Sequence, residues 1–113
     1  MLKRANRINK TRDLQRVYRL GKPVHSSALV IKFVAAPAGA SAAQSQVAFV
    51  VSKKVSKKAV LRNRVKRVLR EKVRLNLSRQ KPGKYLVIVK PQAANMTAAE
   101  LRAQISHALS KIR

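Results

Sequence analysis

The chain is organised around residues 58–74, KAVLRNRVKRVLREKVR, whose apolar and polar positions sort into two faces of a helix. At about 100° per residue, Leu61, Val65, Val68 and Leu69 fall on one stripe, the i, i+4, i+7, i+8 spacing of a core-facing helix. The opposite stripe holds Asn63, Lys66, Arg67, Arg70 and Arg74, flanked by Arg62 and Arg64, with Glu71 as its only acid. The pattern predicts a helix to about Arg79, stopped by the Pro82-Gly83 turn signal. Three runs read as strands. In 28–35, ALVIKFVA, Leu29, Ile31 and Phe33 share one face; Val30, Lys32 and Val34 share the other, which Lys32 marks as the wetter. In 47–52, VAFVVS, the core face takes Val47, Phe49 and Val51, and the small Ala48 and Ser52 join Val50 opposite, leaving room for a ligand backbone. The third, 85–90, YLVIVK, is nearly all apolar and so is expected at the centre of a sheet; Pro91 ends it.

Two further helices complete the pattern. Around 11–20, Leu14, Val17 and Tyr18 form an apolar face and Arg12, Arg16 and Arg19 a basic one, with Thr11 predicted as N-cap and Gly21 as the stop. Thr97-Ala98-Ala99-Glu100 reads as a capping box. It opens a last helix whose stripe is Leu101, Ile105, Ala108, Leu109 and Ile112. His107 lies off that stripe and is expected at the surface, and His25 is expected in a loop beside Pro23. The basic residues 1–10 read as a mobile tail, and the Ala/Ser-rich residues 36–46 as a flexible loop. VSKK occurs twice, at 51–54 and 55–58; the second copy reads as a basic extension of the loop entering the long helix. Together these predict one α+β domain, three helices around a small mixed sheet of three to four strands, with a strand–helix–strand unit at its heart.

Charge changes this from a fold into a function class. The 113 residues include 27 Lys and Arg against three acids, Asp13, Glu71 and Glu100, a net charge of +24. Like charges at i and i+4 weaken a helix. A helix kept only for its apolar face would interleave Glu with Lys, so the uncompensated stripe points to a polyanion that relieves it. No apolar run reaches 18 residues, the first ten residues lack the apolar centre of a signal peptide, and there is no cysteine. These features fit a cytoplasmic protein without membrane, disulfide or thiolate chemistry. Metal-assisted phosphodiester cleavage needs clustered carboxylates, which three scattered acids do not supply, and two isolated histidines make no catalytic site. A self-sufficient nuclease is therefore disfavoured. A ribosomal or other structural RNA-binding module fits the size, charge and element order, and DNA binding is a minor option.

One pattern separates these classes. Arg62-Asn63-Arg64 with Lys66-Arg67, about ten residues after Val51-Ser52-Lys53-Lys54, together with Asn6-Arg7 and the DLQRVYRLG run at 13–21, resembles the protein subunit of bacterial ribonuclease P across almost the whole chain. The resemblance implies a four-stranded sheet, with a short extra strand near Val24–Ser27, and a left-handed crossover. It implies partners, ribonuclease P RNA and precursor tRNA, and removal of the tRNA 5′ leader with Mg²⁺ held mainly by the RNA, without an organic cofactor or a catalytic protein side chain. Lys53, Lys54, Arg62, Asn63, Arg64, Lys66, Arg67 and Arg70 are the expected contacts to the catalytic RNA. Arg12, Arg16, Tyr18, Lys32, Val50 and Ser52 are those expected to hold the leader. Other members often carry aromatics where Leu14 and Lys32 stand, so a stacking platform here is expected to be thinner and more electrostatic.

The same charge predicts how the isolated protein behaves. Lys53, Lys54, Lys57, Lys58, Arg62 and Arg64 fall within twelve positions, and domains of this size are stable by only about 5–15 kcal/mol. An anion that binds only the folded state adds about 2.7 kcal/mol at a hundredfold excess over its dissociation constant. The free protein is expected to be partly unfolded at low salt and to fold with sulfate, phosphate or nucleotide where chloride does much less. Circular dichroism at matched ionic strength checks this; superimposable sulfate and chloride curves would reduce the effect to screening.

Overall fold

The computed structural model describes residues 6–8, 10–37, 39 and 45–112. In chain order these form α1 (Thr11–Leu20), β1 (Lys22–His25), β2 (Leu29–Ala35), β3 (Gln46–Val50), α2 (Ala59–Asn76), a 3-10 turn (Leu77–Arg79), β4 (Gly83–Val89), a second 3-10 turn (Pro91–Asn95) and α3 (Ala98–Ser110). The strands form one sheet in the order β1-β2-β4-β3. Of the seven residues of β4, only Lys84 and Ile88 are more than marginally exposed, which is why this nearly continuous apolar run takes an inner position. It pairs antiparallel with β2, setting Ile31 opposite Val87, and parallel with β3, setting Val47 opposite Tyr85. A parallel pair cannot be closed by a tight turn, and α2 is the crossover.

Strand alternation sends Leu29, Ile31, Val47, Tyr85, Val87 and Val89 to one face of the sheet. There they meet Val65, Leu69 and Val73 of α2 and Leu101, Ile105, Ala108 and Leu109 of α3. Every member of the expected α3 stripe is buried, and its capping box is formed: Thr97 Oγ1 accepts from Glu100 N at 3.2 Å and Glu100 Oε1 from Thr97 N at 3.1 Å. The opposite face of the sheet carries α1, which buries a single residue, Val17.

Several local expectations are corrected. Thr11 is not the N-cap of α1: Lys10 takes that place, its carbonyl accepting from Leu14 N at 3.1 Å, without a side-chain cap. Gly21 does end the helix, but with ordinary extended angles (φ −67°, ψ 140°). Its lack of a side chain matters for closeness instead, since a Cβ there would sit 2.5 Å from the Val17 carbonyl oxygen and 2.9 Å from Lys32 Cβ. His25 lies in β1, not a loop. The extra strand comes slightly earlier than expected and takes in Pro23, which an edge strand tolerates. Val51 and Ser52 lie beyond the end of β3, and Gln46, expected in the loop, begins it. The basic N-terminus is not wholly a tail. Asn6 and Ile8 are buried, Ile8 N donates to the Val47 carbonyl at 3.1 Å, and Asn6 Nδ2 donates to the Ser45 carbonyl at 2.7 Å. The rest of the expected tail (1–5 and 9) and of the flexible loop (38 and 40–44) lies outside the described residues.

Tyr85 joins sheet and loop. It is 1% exposed, its ring centroid lies 4.7 Å from that of Phe33, and its hydroxyl donates to the Lys81 carbonyl. Burial pushes the phenol up to about 12. An unfolded tyrosine ionises near 10, so the folded state resists losing this proton. The stability held by Tyr85 is therefore complete below about pH 10 and is lost as pH rises from about 10 towards 12. Tyr85→Phe is expected to cost about 1 kcal/mol near pH 8, where it removes a buried hydrogen bond. The gap to the wild type should close above about pH 10, as read by urea denaturation in sulfate.

Candidate nucleic-acid interface

Helix α2 turns the expected stripe outward. Asn63, Arg64, Arg67, Arg70 and Arg74 are exposed and Lys66 is half-buried, while Val65, Leu69 and Val73 anchor the other side. Asn63, Lys66, Arg67, Arg70 and Glu71 line a shallow depression of about 400 Å³. Arg74 Nε donates to Glu71 Oε1 at 3.1 Å. That hydrogen bond holds the Glu71 carboxyl below its ordinary range and raises the Arg74 guanidinium. The one acid on the stripe is thus paired towards its C-terminal end, and the start of the helix keeps its positive field. Arg62 departs from the expected arrangement. It is partly buried and its Nη1 donates to the Ser56 carbonyl at 2.9 Å, so it braces the loop before the helix.

That loop is built from the tandem VSKK, and the echo is structural. Val51 and Val55 are both buried in the core. Ser52 Oγ accepts from Lys54 N at 3.2 Å, and Ser56 Oγ accepts from Lys58 N at 3.1 Å. Each copy therefore buries its valine, closes a serine turn and exposes two lysines. Lys53, Lys54, Lys57 and Lys58 are delivered to the N-terminal end of α2, where the helix dipole already favours an anion.

A second surface lies beneath α1. Leu14, Gln15, Tyr18, Arg19, Val50 and Leu86 line a groove of about 560 Å³, with α1 as one wall and the sheet as its floor. Tyr18 is 57% exposed. The Lys32 ammonium sits 3.9 Å from its ring centroid and donates to its backbone carbonyl at 2.8 Å. One lysine thereby caps the end of α1, covers one face of the ring and adds positive charge beside it. An ion pair at 3.2 Å between Asp13 and Lys84 ties the start of α1 to β4.

Of the residues expected here, Tyr18 and Val50 line the groove and Lys32 adjoins it through Tyr18. Arg12 and Arg16 are exposed on α1 outside the lining, and Ser52 serves its own turn. Gln15, Arg19 and Leu86 were missed. Gln15 and Arg19 lie on the flank of α1 next to Leu14 and Tyr18 and away from Val17, which a helical wheel shows. Leu86 alternates with Tyr85 and Val87 and so faces the α1 side, a parity it shares with Lys84 and Lys90. Among the described residues, no group of three His, Cys, Asp or Glu side chains is placed to hold a metal ion, and no helix is long and apolar enough to cross a membrane.

Comparison with known proteins places this geometry. Residues 2–113 match the family Ribonuclease P. The chain is 38% identical to the ribonuclease P protein component of a Synechococcus strain over 112 residues, covering 98% of this chain and 84% of that one. It is 38% identical to that of Symbiobacterium thermophilum over 105 residues, 92% and 88% of the two chains. Among solved structures, the Staphylococcus aureus RNase P protein superposes with a TM-score of 0.84 at 29% identity, covering 94% of each chain. The Thermotoga maritima RNase P protein shares the fold, with a TM-score of 0.79 at 24% identity over 95% and 97% of the chains. Matches that run the length of the chain and carry the same arrangement of helices and sheet admit one assignment: the chain belongs to the ribonuclease P protein component family.

Proposed function

We propose that the protein holds two RNAs on two separate surfaces, the catalytic RNA on the α2 face and the 5′ leader of precursor tRNA in the groove under α1. The observation that carries this reading is that, among the described residues, the two surfaces share no lining residue and differ in chemistry. The α2 face is an exposed run of guanidinium and ammonium groups suited to the phosphates of a folded RNA. The α1 groove is lined by Leu14, Tyr18, Val50 and Leu86 beside Gln15 and Arg19, with a half-exposed aromatic ring backed by a cation, which suits an unpaired strand. The serine turns of the tandem VSKK extend the first surface with four lysines. Lys32 and the Asp13–Lys84 pair fix the wall of the second.

The chemistry belongs to the RNA in this reading. Mg²⁺ held by that RNA would supply the activation of water for cleavage at the leader junction. The protein's own residues do not fit such an ion, because each of its three carboxylates is engaged in structure: Asp13 with Lys84, Glu71 with Arg74 and Glu100 in the α3 cap. What the protein supplies is charge neutralisation, which lowers the Mg²⁺ needed by the assembly, and a grip on the leader, which distinguishes precursor from product. The absence of cysteine suits work in the cytoplasm.

Two outcomes are expected. Arg64→Glu and Arg67→Glu should each weaken binding to a bacterial ribonuclease P RNA. They should also raise the Mg²⁺ requirement of precursor tRNA cleavage and flatten the slope of log affinity against log salt by roughly one. Unchanged affinity in both, measured by filter binding, would remove the α2 face from the assembly surface. Tyr18→Ala should weaken precursor tRNA relative to mature tRNA by about tenfold, within the roughly 1–3 kcal/mol of one stacked base, and leave assembly with the catalytic RNA intact. Equal losses for both tRNA forms would make Tyr18 a packing residue only.

A further inference from the structure

A third depression, of about 390 Å³, opens where the start of β1, the end of β2, the loop before β4 and the end of α3 meet. It shares no lining residue with either surface described above. Leu20, Phe33 and Ile112 contribute apolar walls, and Lys22, Lys81 and Lys111 stand among them. The lysines come from three distant parts of the chain, so folding and not a local basic run gathers them. None of the three acidic side chains lines the depression. Leu20, at the end of α1, is 66% exposed.

Apolar walls with ammonium groups set among them suit a chain that alternates flat bases with phosphates. The last turn of α1 says which chain. Tyr18 and Arg19 line the groove under α1, and Leu20, the next residue, lines this depression. A strand that leaves the first groove across Arg19 and rounds the end of the helix arrives at Leu20 and Lys22. We infer that this depression holds the far end of a long 5′ leader, with bases against Leu20 and Phe33 and phosphates on Lys22, Lys81 and Lys111. The inference rests on the reading of the α1 groove as the leader site. It makes affinity depend on leader length beyond what that groove accommodates.

The test uses the holoenzyme reconstituted with its catalytic RNA and two precursor tRNAs, with leaders of roughly 4 and roughly 12 nucleotides, the range of single-strand sites. The double variant Lys22→Gln/Lys111→Gln should lose about 3- to 10-fold in affinity for the long leader. Its salt slope for that substrate should fall by about 1.4, two contacts at roughly 0.7 each. The short leader should bind as it does to the wild type. Leu20→Ser, at an exposed position, should weaken the long leader without changing the salt slope. Acetylation of Lys22, Lys81 and Lys111 should slow when the long leader is bound and not when the short one is. No loss, or equal losses for both leaders, overturns the inference. So does a loss of affinity for the catalytic RNA, or protection of the three lysines by an oligoglutamate peptide and not by the long leader, which would give the depression to an acidic protein. Tyr18→Ala in parallel reports on the first groove alone, so failure there is distinguishable from failure here.

Discussion

Three carboxylates must serve twenty-seven cations, and their placement governs how the rest of the molecule can be built. Each helix receives one. Asp13 joins α1 to the sheet through Lys84, Glu71 pairs with Arg74 along α2, and Glu100 closes the cap of α3. With so few counter-charges the fold cannot be held by ion pairs and relies on the apolar layer between the sheet and α2/α3. The positive charge is left over, and strand and helix periodicity sorts it outward. What looks like poor electrostatic design in an isolated domain is the state of a molecule whose counter-charge is another molecule.

The α2 face and the α1 groove inherit different rigidity from this plan. The α2 face stands on Val65, Leu69 and Val73, with the loop before it pinned at Val51 and Val55 and braced by Arg62. The backbone that carries its cations is therefore fixed by the core. The α1 wall stands on Val17 alone, supplemented by the Lys32 cap, the Asp13 pair and the close approach at Gly21. A wall held mostly by polar contacts at the surface opens at lower cost than one held by a core, as the proposed leader groove requires.

Legibility in the sequence followed the strength of period and charge. The α2 stripe, the α3 stripe with its cap, and the inner position of β4 were plain, because apolar spacing alone decides them. The exposed side of α2 was plain too, since residues that oppose a core stripe have nowhere to go but out. Where two geometries share one signal, the sequence leaves the local arrangement open. Gly21 signals a helix stop equally well through positive φ or through closeness, and it is the latter. Arg62 looks like its neighbours Arg64 and Arg67, yet its angle on the helix returns it to Ser56. Asn6 and Ile8 sit in a basic run without periodicity, and only the edge of β3 reveals what they pair with. The groove under α1 was half read, because only Lys84 and Lys90 at the ends of β4's apolar run mark the face that Leu86 shares.

The docking of residues 6–8 has a consequence for the protein before it meets RNA. A sheet ends in strands whose outer backbone groups have no partner, and such edges recruit other chains. Here Ile8 donates to Val47 on the outer side of β3, and a bridge forms between Arg7 and Val47, so one margin is partly occupied by the chain's own beginning. The other margin is β1, only four residues long and interrupted by Pro23, which has no N–H to offer. A newly made molecule thus offers little open backbone for edge-to-edge self-association, and its uniform positive charge repels a second copy.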